Sequence, residues 1–260
     1  MHWKDGSWQW TDEPKKPLGH RAYGHIPHLP TSRMGPADHS CAPGQEAICC
    51  VKARDRHDRI IVTEKVDGSC CAVAKVNGNC LALIRAGYLA LGGRYEQHVM
   101  FADWVAAQYP RFDALLQEGE RVVGEWLAQA HGTRYNLPHE PFVVFDIMVG
   151  QRRLLYDEAV SRLRDCDFTT PRLLHDGSPI DVADVLPLLE VSGHGALDPV
   201  EGAVWRVERK DPKPNGHGEH VDFLCKWVRP DKVDGCYLPE KSGGDPVWNW
   251  WPGAEVETRN

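Results

Sequence analysis

The stretch "IIVTEKVDGSCCAV", residues 60–73, puts Lys65 directly behind an apolar, β-branched run, with Asp67-Gly68 just after it. Lysine prefers water, so a lysine at the end of a buried strand reads in two ways. It belongs to a surface turn, for which Asp-Gly is ordinary chemistry, or it is a nucleophile. A free lysine has a pKa of about 10.4 and is almost entirely ammonium at neutral pH. To attack, it needs desolvation or neighbouring cations that push its proton off. Arg85 in "LIRAGY", Lys226 in "FLCKWV" or a bound metal would supply the cations.

Other polar residues stand in or beside apolar strands downstream: Glu125 in "GEWL", Asp146 in "FDI" and Glu201 in "EGAVWR". Glutamates from separate strands can converge on one cleft. Mg²⁺ is commonly held by one or two carboxylates, with waters and phosphate oxygens completing its shell. Alternation along "FVVFDIMV" places Phe145 and Ile147 on one strand face and Asp146 on the other. That strand is apolar throughout, so Phe145 also reads as core. Gly68 tolerates positive φ and lets backbone approach a phosphate.

Taken in order, Lys65-x-Asp67-Gly68, Arg85, Glu125, Phe145, Glu201 and Lys226 resemble the nucleotidyltransferase motifs of covalent ligases and capping enzymes. The nearest resemblance is to ATP-dependent RNA ligases, over roughly residues 60 to 230, with "IPHLPTSR" similar to an upstream segment of some phage and bacterial relatives. The resemblance implies ATP as cofactor, with Mg²⁺ or Mn²⁺, and RNA ends as substrate. Lys65 would take AMP as a phosphoramidate, AMP would pass to a 5′-phosphate, and a 3′-hydroxyl would then displace it. Glu64 would help to read the adenine, partly through backbone; its other reading is a solvated strand-end carboxylate. Asp67 and Gly68 would shape the turn. Arg85 would contact the nucleotide sugar or the incoming 5′-phosphate, for which a guanidinium fork is suited. Glu125 and Glu201 would be the ribose and metal carboxylates. Phe145 would stack the adenine, with Asp146 as a supporting acid, and Lys226 would neutralise the α-phosphate.

One position departs from the pattern. Many relatives carry two lysines two positions apart in the last motif, and here the first is Leu224. Arg229 and Lys232 are the nearby cations that would substitute. The segment "AQAHGTRY" (128–135) offers His131 or Arg134 as a phosphate contact, or is a polar loop. His25-x-x-His28 and His217-x-x-His220 lack partner ligands and read as surface histidines. DNA ends, and a separate end-processing or substrate-binding protein, are further candidate partners. The alternatives are a nucleotidyltransferase acting on another acceptor, including DNA nicks, GTP-dependent capping, a protein or a small molecule, and a non-catalytic nucleotide-binding module.

The elements that must position these residues are strands at 59–64, 69–76, 79–86, 121–128, 142–149, 201–209 and 221–228. Asn77-Gly78 marks a hairpin, and "RRLLY" pairs back on 142–149. Helices are expected at 95–109, with Val99, Ala102, Ala106 and Tyr109 on one face, and at 157–165 and 181–190. Antiparallel strands interrupted by helices make an α+β domain, and the resemblance implies an adenylation domain whose antiparallel sheets flank an ATP cleft. Residues 1–50 read as a loop-rich arm packed on the domain, 51–235 as the domain, and 236–260 as a Trp-rich tail that anchors to it or stacks bases. Only 34 residues follow Lys226, too few for a C-terminal OB domain.

The net charge of −7 argues against holding nucleic acid by bulk electrostatics, but not against a locally basic groove. The nine cysteines include the adjacent pairs Cys49-Cys50 and Cys70-Cys71 and no C-x-x-C. They read as reduced, mostly buried thiols. With no apolar run of membrane-spanning length and no signal-peptide h-region, no membrane partner and a cytoplasmic location are expected.

Overall fold

A computed structural model of the chain describes residues 2–4, 7–9, 16–210 and 218–253. The chain opens with a two-stranded hairpin, β1 (His2–Lys4) and β2 (Ser7–Gln9), then α1 (Gln45–Cys50). β3 (Asp58–Lys65), β4 (Ser69–Val76) and β5 (Asn79–Ile84) follow. Asn77 and Gly78 both take positive φ, as a tight two-residue hairpin turn requires. Next come α2 (Glu96–Ala107), α3 (Tyr109–Leu115), β6 (Glu120–Trp126), β7 (Phe142–Val149), β8 (Arg152–Arg153) and α4 (Tyr156–Asp165). β9 (Leu173–Gly177), α5 (Val182–Val185), β10 (Gly202–Arg209), β11 (His220–Val228) and α6 (Pro239–Ser242) complete it. Two antiparallel sheets result, one in the order β5-β4-β6-β7-β8 and one in the order β11-β10-β3-β9. The architecture is α+β, and among the described residues no strand element follows β11.

Several sequence expectations need correction. The helix predicted at 95–109 stops at Ala107, and Pro110 sits in the first turn of a new helix, α3, a position where its missing N–H costs nothing. The buried face of α2 is Gln97, Met100, Phe101, Trp104 and Val105, not the predicted Val99-Ala102-Ala106-Tyr109 stripe. Both stripes have helical spacing, and the larger apolar side chains take the core. The segment 181–190 is one α turn capped by Asp181, continued by a 3₁₀ turn over Leu186–Leu189. α1 and β9 carry no period strong enough to have been expected.

α2, α3 and α4 cover one face of the five-stranded sheet. Phe101, Trp104, Phe112, Trp126 and Phe142 interlock there. Trp248 and Trp250 of the tail pack against this core, with Trp250 5.7 Å from Trp126 between ring centroids. Trp10 lies outside the described residues, and so do the side chains of Trp3 and Trp8. One face of the four-stranded sheet buries Ile60, Val62, Trp205, Val207, Cys225 and Trp227 with α1. Arm residues Ala22 and Tyr23 lie against the other face of the five-stranded sheet. The arm also runs along β11: Lys226 N donates to Pro27 O, Leu29 N to Lys226 O and Arg33 N to Val228 O. This covers an edge that would otherwise present unpaired backbone groups. The nine cysteines are free thiols. No helix among the described residues is long and apolar enough to cross a membrane.

Candidate active site

A cleft of about 1080 Å³, open mouth included, lies between the two sheets, with the arm and α4 contributing to its walls. Alternation decides what enters it. Thr63 and Lys65 of β3, Val204 and Arg206 of β10, and Leu224 and Lys226 of β11 point in from one sheet. Cys70, Arg85, Glu125 and Phe145 come from the other, and Tyr23, Gly24 and Ile26 from the arm.

Lys65 is the last residue of β3. Its Nζ lies 2.6 Å from Glu201 Oε2, with the Lys65 side chain about one-fifth exposed. Gly202 lets that approach happen: it pairs with both Lys65 and Val228, and a Cβ there would lie 1.9 Å from Trp227 O. Burial works against the Lys65 ammonium. The carboxylates of Glu201, Glu125 and Asp67 outweigh it, so the amine is held above its ordinary pKa. The expectation of cations freeing the amine is therefore reversed in the free protein. Burial raises the Glu201 carboxyl against the pull of Lys65. Burial, then the charges of Glu201 and Asp67 working against Lys65, push Glu125 up to about 7. The Glu125 carboxylate accepts from Gly68 N at 3.1 Å.

The turn after Lys65 is clamped from behind. Asp67 N donates to Tyr135 Oη, and Asp67 Oδ2 accepts from Gly132 N at 2.8 Å and pairs with Lys232 Nζ at 2.7 Å. Lys232 also donates to Thr133 Oγ1. The loop 131–135 is thus a brace for the turn. Arg134 pairs with Asp198 and His131 with Gln97, and neither lines the cleft. Gly68 is required for a different reason than its φ, which is not positive. A Cβ there would meet Trp126 O at 2.4 Å.

Glu64 is buried, which removes the solvated reading. Its carboxylate accepts from Ser192 Oγ at 2.6 Å and Gly193 N at 2.8 Å. Arg85 Nη2 donates to Gly24 O at 2.9 Å, and its Nε is buried without a hydrogen-bond partner. Phe145 is the extra residue of a β-bulge. Val123 faces Asp146 while Gly124 faces Val144. The bulge breaks the predicted alternation: Ile147 joins the helix-side core, while Phe145 packs with Tyr23 and lines the cleft. Asp146 follows it to the cleft side. It is buried and accepts from Tyr23 Oη at 2.6 Å, Arg206 Nη1 at 2.7 Å and Arg153 Nε at 3.0 Å.

Lys226 reaches the cleft beside the apolar Leu224. Neither proposed substitute for the missing lysine is there: Arg229 pairs with Asp231, and Lys232 with Asp67. His28 is buried rather than on the surface, and His217 lies outside the described residues. Arg206, Tyr23 and Asp38 escaped the sequence reading. Period-two alternation from Val204 would have found Arg206. The arm residues carry no periodic signal at all.

Glu125 of β6 and Glu201, just before β10, are oxygen donors whose charges both act on Lys65, and they are the candidates to hold a hard cation. Among the described residues no group of three or more His, Cys, Asp or Glu side chains gathers to hold a metal alone. The two glutamates with phosphate oxygens fit the commonest Mg²⁺ arrangement.

A model of the family described as RNA ligase matches residues 58–228, from the first residue of β3 to the last of β11. No curated protein matches the chain. Similar solved structures include a putative ATP-dependent DNA ligase from Aquifex aeolicus, 17% identical, covering 65% of this chain and 43% of that one, TM-score 0.43. An archaeal ATP-dependent RNA ligase is 21% identical, covering 66% and 43%, TM-score 0.41. A mutant of the Naegleria gruberi RNA ligase is 16% identical, covering 91% and 65%, TM-score 0.49. The chain therefore spans less than half the length of the first two. The family match covers both sheets and every cleft residue outside the arm, and the chain belongs to the RNA ligase family.

Proposed function

We propose that the chain is an ATP-dependent RNA ligase that joins 5′-phosphate and 3′-hydroxyl ends through a lysyl-AMP intermediate. The observation that carries this is Lys65 at a strand end, paired at 2.6 Å with Glu201, in a cleft that also holds Phe145, Arg85 and Lys226.

Adenine stacks on Phe145, whose bulge turns it into the cleft. Glu64 contributes only through its backbone carbonyl, since its carboxylate and its N–H are already bonded. The Lys65 amine gives up a proton, for which Glu201 Oε2 is the nearest acceptor. The amine then forms a bond to the α-phosphorus as the bond to pyrophosphate breaks. Lys226 faces the charge that develops on the α-phosphate, as a fixed cation aimed at a transition state should. A divalent ion held by Glu125 and Glu201 would neutralise triphosphate charge and weaken the grip of these carboxylates on the Lys65 proton. Arg85, with its free Nε, holds the 5′-phosphate of the RNA end. That phosphate displaces Lys65 from AMP, and the 3′-hydroxyl then displaces AMP. The free thiols suit a reducing compartment, and we place the reaction in the cytosol.

The test is a strand-joining assay with ATP, Mg²⁺ and RNA ends, with DNA ends and GTP in parallel. The expected result is joined RNA, an AMP-capped 5′-end as intermediate, and no joining without the 5′-phosphate. AMP uptake by the protein without joining of any end would move the function to another acceptor.

A further inference from the structure

The arm lies outside the span matched to the family, yet it reaches a cleft residue with an acidic side chain. Asp38 Oδ1 lies 3.4 Å from Lys226 Nζ. We propose that Asp38 is a positioning residue for Lys226, holding the single ammonium left in this motif aimed into the cleft. The inference rests on the ligase reading above.

Lys226 needs such a hold. A lysine is a point charge on a flexible four-carbon stem. Its neighbour on the cleft face, Leu224, offers no polar contact. Burial and the like charge of Lys65 both act against its charged form, while Asp38 and Glu201 favour it. Left alone, the ammonium would swing to water. Asp38 is the carboxylate in contact with it.

Asp38 is itself anchored. Its Oδ2 accepts from Gly35 N at 2.9 Å and faces His28 Nε2 at 3.3 Å, off the line of a good hydrogen bond. His28 Nδ1 meets Ser32 Oγ at 2.6 Å, and Ser32 Oγ accepts from Val228 N at 2.9 Å. The chain of contacts thus leaves β11 at Lys226 and returns to it two residues later. One carboxylate oxygen is fixed and the other is presented to the lysine. The 3.4 Å contact is longer than a good charge-assisted bond, so it leaves the ammonium able to turn to a phosphate.

The test is single-turnover AMP transfer to the protein at varied ATP, in wild type, Asp38→Asn, Asp38→Glu, Lys226→Ala and the Asp38→Asn/Lys226→Ala double variant. Lys226 acts on charge that develops during transfer, so the rate, not ATP binding, should respond. Asp38→Asn should lower the saturating rate about tenfold and move half-saturating ATP by less than about twofold. Asp38→Glu should recover part of the rate. The double variant should match Lys226→Ala alone, because Asp38 acts only through Lys226. That equality is readable even if Asp38→Asn also costs stability, and a double variant slower than Lys226→Ala would mark a merely structural role. A wild-type rate in Asp38→Asn would overturn the proposal. So would a faster one, which would make Asp38 an anion occupying the phosphate's place. A wild-type protein that takes up no AMP would overturn the ligase reading as well.

Discussion

At Lys65 the residue types were legible in the sequence, while the electrostatics were not. A lysine beside Asp-Gly, followed by two glutamates and two cations, is the pattern that points to the family. Only the fold shows Glu201 in contact with the amine and the charges of Glu201, Glu125 and Asp67 holding it protonated. In the proposed reaction Glu201 would serve both as a carboxylate for a metal and as the first acceptor for the Lys65 proton. Glu201→Gln keeps the shape and removes the charge. It should slow AMP transfer about 10²- to 10³-fold with an unchanged melting temperature, read by rapid-quench kinetics and calorimetry. Phe145→Ala should instead act on binding, raising half-saturating ATP several-fold, since stacking on an aromatic contributes roughly 0.5–1.5 kcal/mol. At Gly68 the expected reason for a glycine gives way to another. Its freedom of φ is not used, and the carbonyl of Trp126 leaves no room for a Cβ.

Strands whose hairpins and apolar runs were strong were legible as elements; their faces were less so. The bulge at Phe145 shifts one residue of β7 and so changes which side chains share a face. No alternation rule contains that shift. Helix α2 had two stripes of equal period, and only the partner surface selects between them. Loops were the least legible, because their order comes from side chains distant in sequence. Residues 139 and 194 illustrate this. His139 Nε2 and His194 Nδ1 are 2.8 Å apart, Arg172 N donates to His194 Nε2, and His139 Nδ1 meets Glu140 O. Both rings must be neutral for this chain to be satisfied, with the tautomers assigned from the partners. Burial, then the charges of His139 and Arg172, lowers the His194 pKa to about 4. Between about pH 6.5 and 4 the unfolded chain binds the extra proton and the folded one does not. This contribution is therefore present above about 6.5 and is lost as pH falls toward 4. His98, lowered to about 4 by burial and then His131, acts in the same direction, and Glu125 in the opposite one. Urea unfolding at pH 7 and pH 5 should show a smaller loss in His194→Gln than in wild type. An equal loss would mean that the pair is not held neutral.

Across the whole molecule the question is what keeps two sheets at the spacing a nucleotide needs. Asp146 of β7 bonds Arg206 of β10, Arg153 of β8 and Tyr23 of the arm, and Arg206 continues to Glu208. Burial raises the Asp146 carboxyl, and the charges of Arg206 and Arg153 with the Tyr23 hydroxyl more than offset it, leaving it below its usual value. Asp146→Ala would take the shared carboxylate from the buried Arg206 and from Arg153, leaving Arg206 only Glu208 as a counter-charge, and should cost about 3–5 kcal/mol of stability, read as a lowered urea midpoint. A loss below about 1 kcal/mol would mean that the sheets are held by packing alone. Beyond Asp146, only the cleft-side position of Arg206 could be read from alternation; the bonds themselves join residues that no local pattern links. In the proposed function this spacing would bring Lys65 to ATP, and that is the central claim. Its most direct measurement is the intact mass of protein freed of bound nucleotide and then given ATP and Mg²⁺, with Lys65→Ala alongside. The account predicts a gain of one AMP on the wild type and none on a folded Lys65→Ala. No gain on the wild type, with Mn²⁺ also tried, or an equal gain on both, would contradict it.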